Sequence, residues 1–261
     1  MQNQPAEIFQ TIRSKLSQHD DNAGLSEWDL HCLARDAKSI PHTLPERDAA
    51  EMLINARMRK FDLAEKQADT FLVKWGRSWS NLTHASATYA HSLCYIKSVE
   101  CVAEAASLRP DHVTTLRNLE HLSMVAIFPQ QAFAAKQKLI SLGIKPVEVD
   151  FEEIRDELIW MQEHNATDEQ LSSYFQACAD VLKTKLAGRS DCVFATREKI
   201  STCTETGDKI LCVDICVNID GGDAACIQWD IFAQKEKYLP EPLWDFFSVG
   251  IKPLGKMAKV V

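Results

Sequence analysis

The sequence predicts a mainly α-helical N-terminal half, built as a stack of two-helix repeats, followed by a smaller α+β domain with an antiparallel meander sheet. Two observations carry that prediction. Residues of like character recur 34 positions apart through the first half: Ala64, Ser98 and Ala132; Phe71, Ala105 and Leu139; Phe61 and Tyr95; and the helix-ending residues Gly76 and Pro110. A period of this length describes units of two helices, each too small to bury its apolar face alone, which stack into a shared core. After Gly188 the apolar period falls from 3.6 to 2, which marks half-buried strands. The boundary is placed between residues 1–166 and 167–261.

The elements follow in order. Ile8, Phe9, Ile12 and Leu16 form an apolar stripe at helical spacing. Ser26 is an N-cap, with Asp29 three residues on, for a helix carrying Trp28, Cys32, Leu33 and Ala37. Met52, Leu53 and Ala56 line the next helix, and Ala64, Ala68, Phe71 and Leu72 the one after. Helices over Leu82–Tyr89 and Val102–Ala106 precede a break at Pro110-Asp111. Leu116, Leu119 and Met124 open another pair, closed near Gly143 and Pro146. Asp150 to His164 reads as an amphipathic helix. Thr167 and Gln170 form a capping box for a long helix to Leu186, ended by Gly188.

Strands are expected next. One runs around Phe194–Thr204 and turns at Thr206-Gly207-Asp208. Leu211, Val213, Ile215, Val217 and Ile219 alternate with polar or small residues. Gly221-Gly222 reads as a tight turn into an answering strand with Ala225, Ile227, Trp229, Ile231 and Ala233. Phe247, Val249 and Ile251 suit a closing strand.

Residues 79–112 resemble a tetratricopeptide (TPR) repeat, with Leu82, Ala85, Ser86, Tyr89, Ser98, Val102, Ala105 and Pro110 at the family's key positions. Small residues such as Ser86 and Ser98 let paired helices approach closely, and Pro110 ends the second helix for want of an N–H. Flanking copies depart from the pattern: Lys136 occupies an apolar position, and Asp48 and Glu51 stand where Trp and Leu belong. The resemblance spans roughly residues 45–165. It implies a concave wall made by the first helix of each pair, which places Ser80, Thr83 and Ala87 there from one repeat and Thr114, Arg117 and His121 from the next. Arg117 can fork onto a carboxylate of a bound peptide. The Lys and Asn cluster of the family's chaperone-binding members has no counterpart in this sequence.

Composition bounds the function. With 46% apolar and 25% charged residues the chain reads as soluble and globular. No apolar run approaches the roughly 18–20 residues of a membrane span, so membrane insertion is not expected. Met1–Ala6 is polar, unlike a secretion signal, and a cytoplasmic location is expected. Net charge is −8, a poor match to a phosphate backbone, so nucleic acid is not expected as a direct ligand. Nine cysteines cannot all pair within one chain, and reduced thiols are the default.

Five cysteines crowd the C-terminal part: Cys192, Cys203, Cys212, Cys216 and Cys226. Cys212 and Cys216 share a strand face about 13 Å apart, too far to share a zinc. Cys203 and Cys212 are placed to face each other across the Thr206–Asp208 turn, a candidate redox pair. Asp214 and Asp230, central on adjacent expected strands, could hold a divalent cation. Trp229–Phe232 lacks the lysine that a restriction-type nuclease places after such an acid. All eight histidines precede residue 165. His84, His91 and Cys94 fall near one helix face, with the step from His91 to Cys94 crossing an inter-helix turn. There is no nucleophile elbow, phosphate-cradling loop or zinc-protease helix motif.

The expectation is a non-catalytic adaptor or regulator, with no cofactor and no metal, whose concave helical surface binds another protein or a peptide. One alternative is an immunity- or antitoxin-like neutraliser with an acidic face for a basic partner. The other is a metal-dependent hydrolase centred on Asp214 and Asp230.

Overall fold

A computed structural model describes residues 4–18, 25–145, 148–189 and 194–253. Helices α1 (Pro5–Gln18), α2 (Glu27–Lys38), α3 (Pro45–Arg57), α4 (Phe61–Trp75), α5 (Trp79–His91), α6 (Tyr95–Leu108), α7 (Val113–Val125), α8 (Pro129–Ser141), α9 (Glu148–His164) and α10 (Asp168–Leu186) come first. Each helix from α2 to α8 packs on its successor, a repeat-like stack. Then come β1 (Phe194–Thr202), β2 (Lys209–Val217), α11 (Gly221–Phe232), α12 (Lys235–Tyr238) and β3 (Phe247–Pro253).

The 34-residue period has a visible cause. Ala64, Ser98 and Ala132 are each fully buried, because the second helix of every pair must press against the first where there is room only for a small side chain. Ser98 also exchanges hydrogen bonds with its pair-mate: the Ser86 hydroxyl donates to the Ser98 carbonyl and the Ser98 hydroxyl to the Ser86 carbonyl, both at 2.9 Å. Phe61, Tyr95 and Pro129 each open the second helix of a pair. A further column lies in the turns. Arg59, Leu93 and Ile127, one period apart, all have positive φ, at 57°, 61° and 59°. In each case the following N–H reaches back five residues: Lys60 to the Asn55 carbonyl, Cys94 to Tyr89, and Phe128 to Ser123. That is the Schellman closure of a helix, made without glycine. Leu93 and Ile127 are 1% exposed, so core burial holds them in a conformation disfavoured for bulky side chains.

Asn165 repeats the device with φ of 51°, and Ala166 N–H reaches the Met161 carbonyl at 2.9 Å. Helices α9 and α10 are therefore joined by the same turn as the repeats before them. Both expected capping boxes form, Ser26 with Asp29 and Thr167 with Gln170. Lys136, at the position where the pattern wants an apolar side chain, is 2% exposed and pairs with Glu120 at 3.1 Å.

Helix α10 sits between the stack and the sheet. Tyr95 stacks on Phe175 with centroids 5.3 Å apart, while the neighbouring Tyr174 meets Phe247 of β3 edge-on at 5.8 Å. The Gln176 amide donates to the Leu93 carbonyl at 2.9 Å and its oxygen accepts from Ile96 N–H at 3.2 Å. One apolar cluster runs without a break from Phe61 and Tyr95 through Phe175 to Val213 and Phe247. Trp160 of α9 is fully buried, its indole N–H on the Lys209 carbonyl at 3.0 Å.

The sheet corrects the expected meander. Its order is β1-β2-β3, with β1 antiparallel to β2 but β3 parallel to it. The segment 225–233 is no strand: it belongs to α11, the crossover a parallel pair requires. Asp220 caps this helix by accepting from Asp223 N–H at 2.8 Å, so Gly221-Gly222 makes the first turn of a helix instead of a hairpin. Ala224, Ile227 and Ile231 are buried at helical spacing, and Trp229 is 75% exposed. The register also separates Cys203 from Cys212: Cys203 N–H bonds to the Asp208 carbonyl, and Cys212 lies opposite Lys199. β2 follows its alternation, with Leu211, Val213, Ile215 and Val217 all buried.

Candidate functional site

The first helices of successive pairs, α1, α3, α5 and α7, line a trough on the inner side of the stack. Its larger part is a cavity of about 670 Å³ walled by Leu53 and Arg57 of α3, Thr83, Ala87 and His91 of α5, and Asn118 and His121 of α7. Arg13 and Leu16 of α1 close one side, and Ala195 and Thr196 of β1 another. A second cavity of about 340 Å³ takes in Ser80, Thr114 and Glu46. The two share Arg13, Thr83, His84 and Asn118, so they form one continuous depression.

Of the expected wall residues, Ser80, Thr83, Ala87, Thr114 and His121 line this trough. Arg117 lies on an exposed part of α7 and lines neither cavity. The fixed charge comes from Arg13 and Arg57 instead. The period held the signal for Arg57. Stepping 34 residues back from Ala87 and His91 reaches Leu53 and Arg57, and forward from His91 reaches Val125, which also lines the cavity. Arg13 had no such signal, because α1 reaches the trough through long-range packing: Phe9 meets His84 edge-on at 5.1 Å.

The electrostatics of the trough run against those of the chain. Among the described residues no Asp or Glu lines the larger cavity, although the sequence has 37 acidic residues against 29 basic. The Arg57 guanidinium donates to the Leu16 carbonyl, which fixes its position across the end of α1. Burial, and then the nearby Arg13 charge, bring the His84 imidazole down to about 4. Burial, with Arg57 and Arg59 behind it, holds His91 well below the usual histidine range. Both rings are therefore neutral at pH 7 and offer hydrogen bonds without a charge. Ser80 Oγ lies 3.3 Å from His84 Nε2, and the Thr83 hydroxyl is turned onto the Trp79 carbonyl at 2.8 Å.

The other constellations resolve into structural pairings. Asp214 and Asp230 do not meet on adjacent strands. Asp214, on β2, pairs with Lys252 and with Lys199 at 3.5 Å, whereas Asp230, on α11, pairs with Lys185 at 2.8 Å. Among the described residues no group of three or more His, Cys, Asp and Glu is placed to hold a metal ion. Cys32, Cys94, Cys101, Cys178, Cys203, Cys212, Cys216 and Cys226 are free thiols, and Cys192 lies outside the described residues. Cys94 falls in the turn between α5 and α6, as its spacing from His91 implies.

Cys94 belongs to a charged cluster where α4, α6 and α10 meet. Glu65 accepts from Lys183, from Lys97 at 3.0 Å and from the Cys94 thiol at 3.1 Å. Burial opposes ionisation of Glu65, but the Lys183 and Lys97 bonds outweigh it and bring the carboxyl down to about 2. Burial first, and then the bond to Glu65, push the Cys94 thiol up to about 12, so it is no nucleophile. A second acidic site sits between α9 and β1. Glu157 is 4% exposed, and burial pushes its carboxyl up to about 7 beside Glu198. Comparison with protein-family models, curated proteins and solved structures finds no match for this chain.

Proposed function

We propose that the chain is a non-catalytic adaptor or regulator that holds an extended segment of a partner protein in the trough of its helical stack. The supporting observation is the trough itself, formed mainly by one helix from each of four successive pairs and lined by Thr, Asn and His side chains among Leu, Val and Ala. At roughly 9 Å between neighbouring helix axes its floor is about 27 Å long. That accommodates about eight residues of extended chain. The reading accords with the TPR-like period, since a solenoid's concave wall is the surface it offers to a partner.

The test is a blocking substitution. Ala87 is half-buried in the trough wall, and Ala87→Trp fills the space above it. Proteins captured from native lysate by the wild-type chain should be lost by Ala87→Trp at an unchanged melting temperature. Capture of the same set by both would place the contact surface elsewhere.

A further inference from the structure

We infer that the trough takes an acidic peptide, a partner segment carrying several Asp or Glu side chains, and that Arg13 selects it. This rests on the protein-binding reading above and names the chemistry of the partner.

Three observations converge. Among the described residues the larger cavity is lined by two guanidinium groups and no carboxylate, within a chain of net charge −8. Opposite charge lining an otherwise acidic surface is electrostatic complementarity waiting for an anion, and the surrounding negative field repels anions that lack a specific fit. Arg13 lines both cavities, is exposed, and makes no ion pair among the described residues. Lys74, Arg77 and Lys138, by contrast, are paired, with Asp48, Glu104 and Asp111. Finally, His84 and His91 stay neutral beside these arginines. They can donate to a carboxylate oxygen at no cost in added repulsion.

A peptide is favoured over a small anion by geometry. Arg13 stands where the two cavities join, so a ligand that meets it can continue in both directions past Thr83 and Asn118. Among the described residues the one carboxylate in either lining, Glu46, is confined to the smaller cavity, which puts the acidic stretch of the ligand in the larger one.

The test uses the full chain with fluorescein-labelled peptides of about eight residues, the length the trough accommodates. One is Glu-rich, and its counterparts carry Gln or Lys at the same positions. Anisotropy at low salt should show the Glu peptide binding about tenfold or more tightly than the Gln peptide, with the Lys peptide unbound. Raising the salt should weaken it. Arg13→Glu should abolish the preference and Arg13→Gln should reduce it. Arg35→Glu, on the outer helix α2 with its side chain 78% exposed, should leave it intact. Melting temperatures identify any variant that has lost its fold, and the Gln variant then decides. Equal binding of the Glu and Gln peptides overturns the inference, as does displacement of the peptide by free glutamate or inorganic phosphate at equal concentration. Ala87→Trp-sensitive capture without a charge preference would sink this inference alone. Capture insensitive to Ala87→Trp would sink the reading beneath it.

Discussion

Replacing Glu65 with Gln should destabilise the fold at pH 7 by about 2 kcal/mol, and the loss should disappear in acid. The carboxyl is lowered from 4.5 to about 2. Each pH unit corresponds to about 1.4 kcal/mol, so the native state favours the ionised form by roughly 3 kcal/mol. Glu65 is 26% exposed, and screening by water trims that to about 2. Glutamine still accepts one hydrogen bond but leaves Lys183, only 14% exposed, with Asp62 at 3.3 Å as its remaining carboxylate. The sign follows from the depressed value. The stabilisation is complete above the unfolded carboxyl value near 4.5 and is lost as pH falls towards 2. Urea denaturation of both proteins across that range measures the gap directly. A gap below about 0.5 kcal/mol at pH 7 would show the ion pairs to be balanced by their desolvation. A gap of constant size down to pH 3 would assign the loss to packing and refute the electrostatic account.

Glu157→Gln should act in the opposite sense. A buried carboxyl raised to about 7 contributes fully below 4.5 and loses its contribution as pH rises through 7. The variant should therefore match the wild type near pH 4 and exceed it by on the order of 2 kcal/mol at pH 8, again by urea denaturation. Parallel pH profiles would refute this. Gln228→Ala should cost about 1–2 kcal/mol, since the Gln228 amide donates to the Val249 carbonyl at 3.1 Å and accepts from Ile251 N–H at 2.6 Å. Sedimentation should also show concentration-dependent association of that variant as β3 is uncovered, and a monodisperse variant of native stability would count against the idea.

What the sequence disclosed, and what it hid, divides along the range of the forces involved. The repeat was legible because Ala64, Ser98 and Ala132 answer one local demand, close approach within a helix pair. The caps at Ser26 and Thr167 were legible because each is settled within four residues. The segment 225–233 misled because Ile227 and Ile231, four apart, satisfy a period of 2 as well as one of 3.6. Only Ala224 and the Asp220 cap distinguish the two, and the adjacent glycines concealed that cap behind a turn signature. Asp230 moved with that helix, and the supposed carboxylate pair went with it. The wall residues Ser80, Thr83 and Ala87 came from the register that the TPR resemblance implies, whereas Arg13 reaches the trough through long-range packing of α1 that no short window of sequence contains.

The amide of Gln228 has a consequence beyond stability. It occupies main-chain groups on the outer side of β3 much as a neighbouring strand would, so that margin of the sheet is already spoken for. The opposite margin is β1, and there Ala195 and Thr196 border the trough. On the proposed reading, an extended segment in the trough would run past the sheet's other edge, where main-chain pairing would grip it whatever its side chains. Grip and choice would then fall to different parts of the molecule: the strand would hold any sequence, and the guanidinium groups would decide which sequence stays.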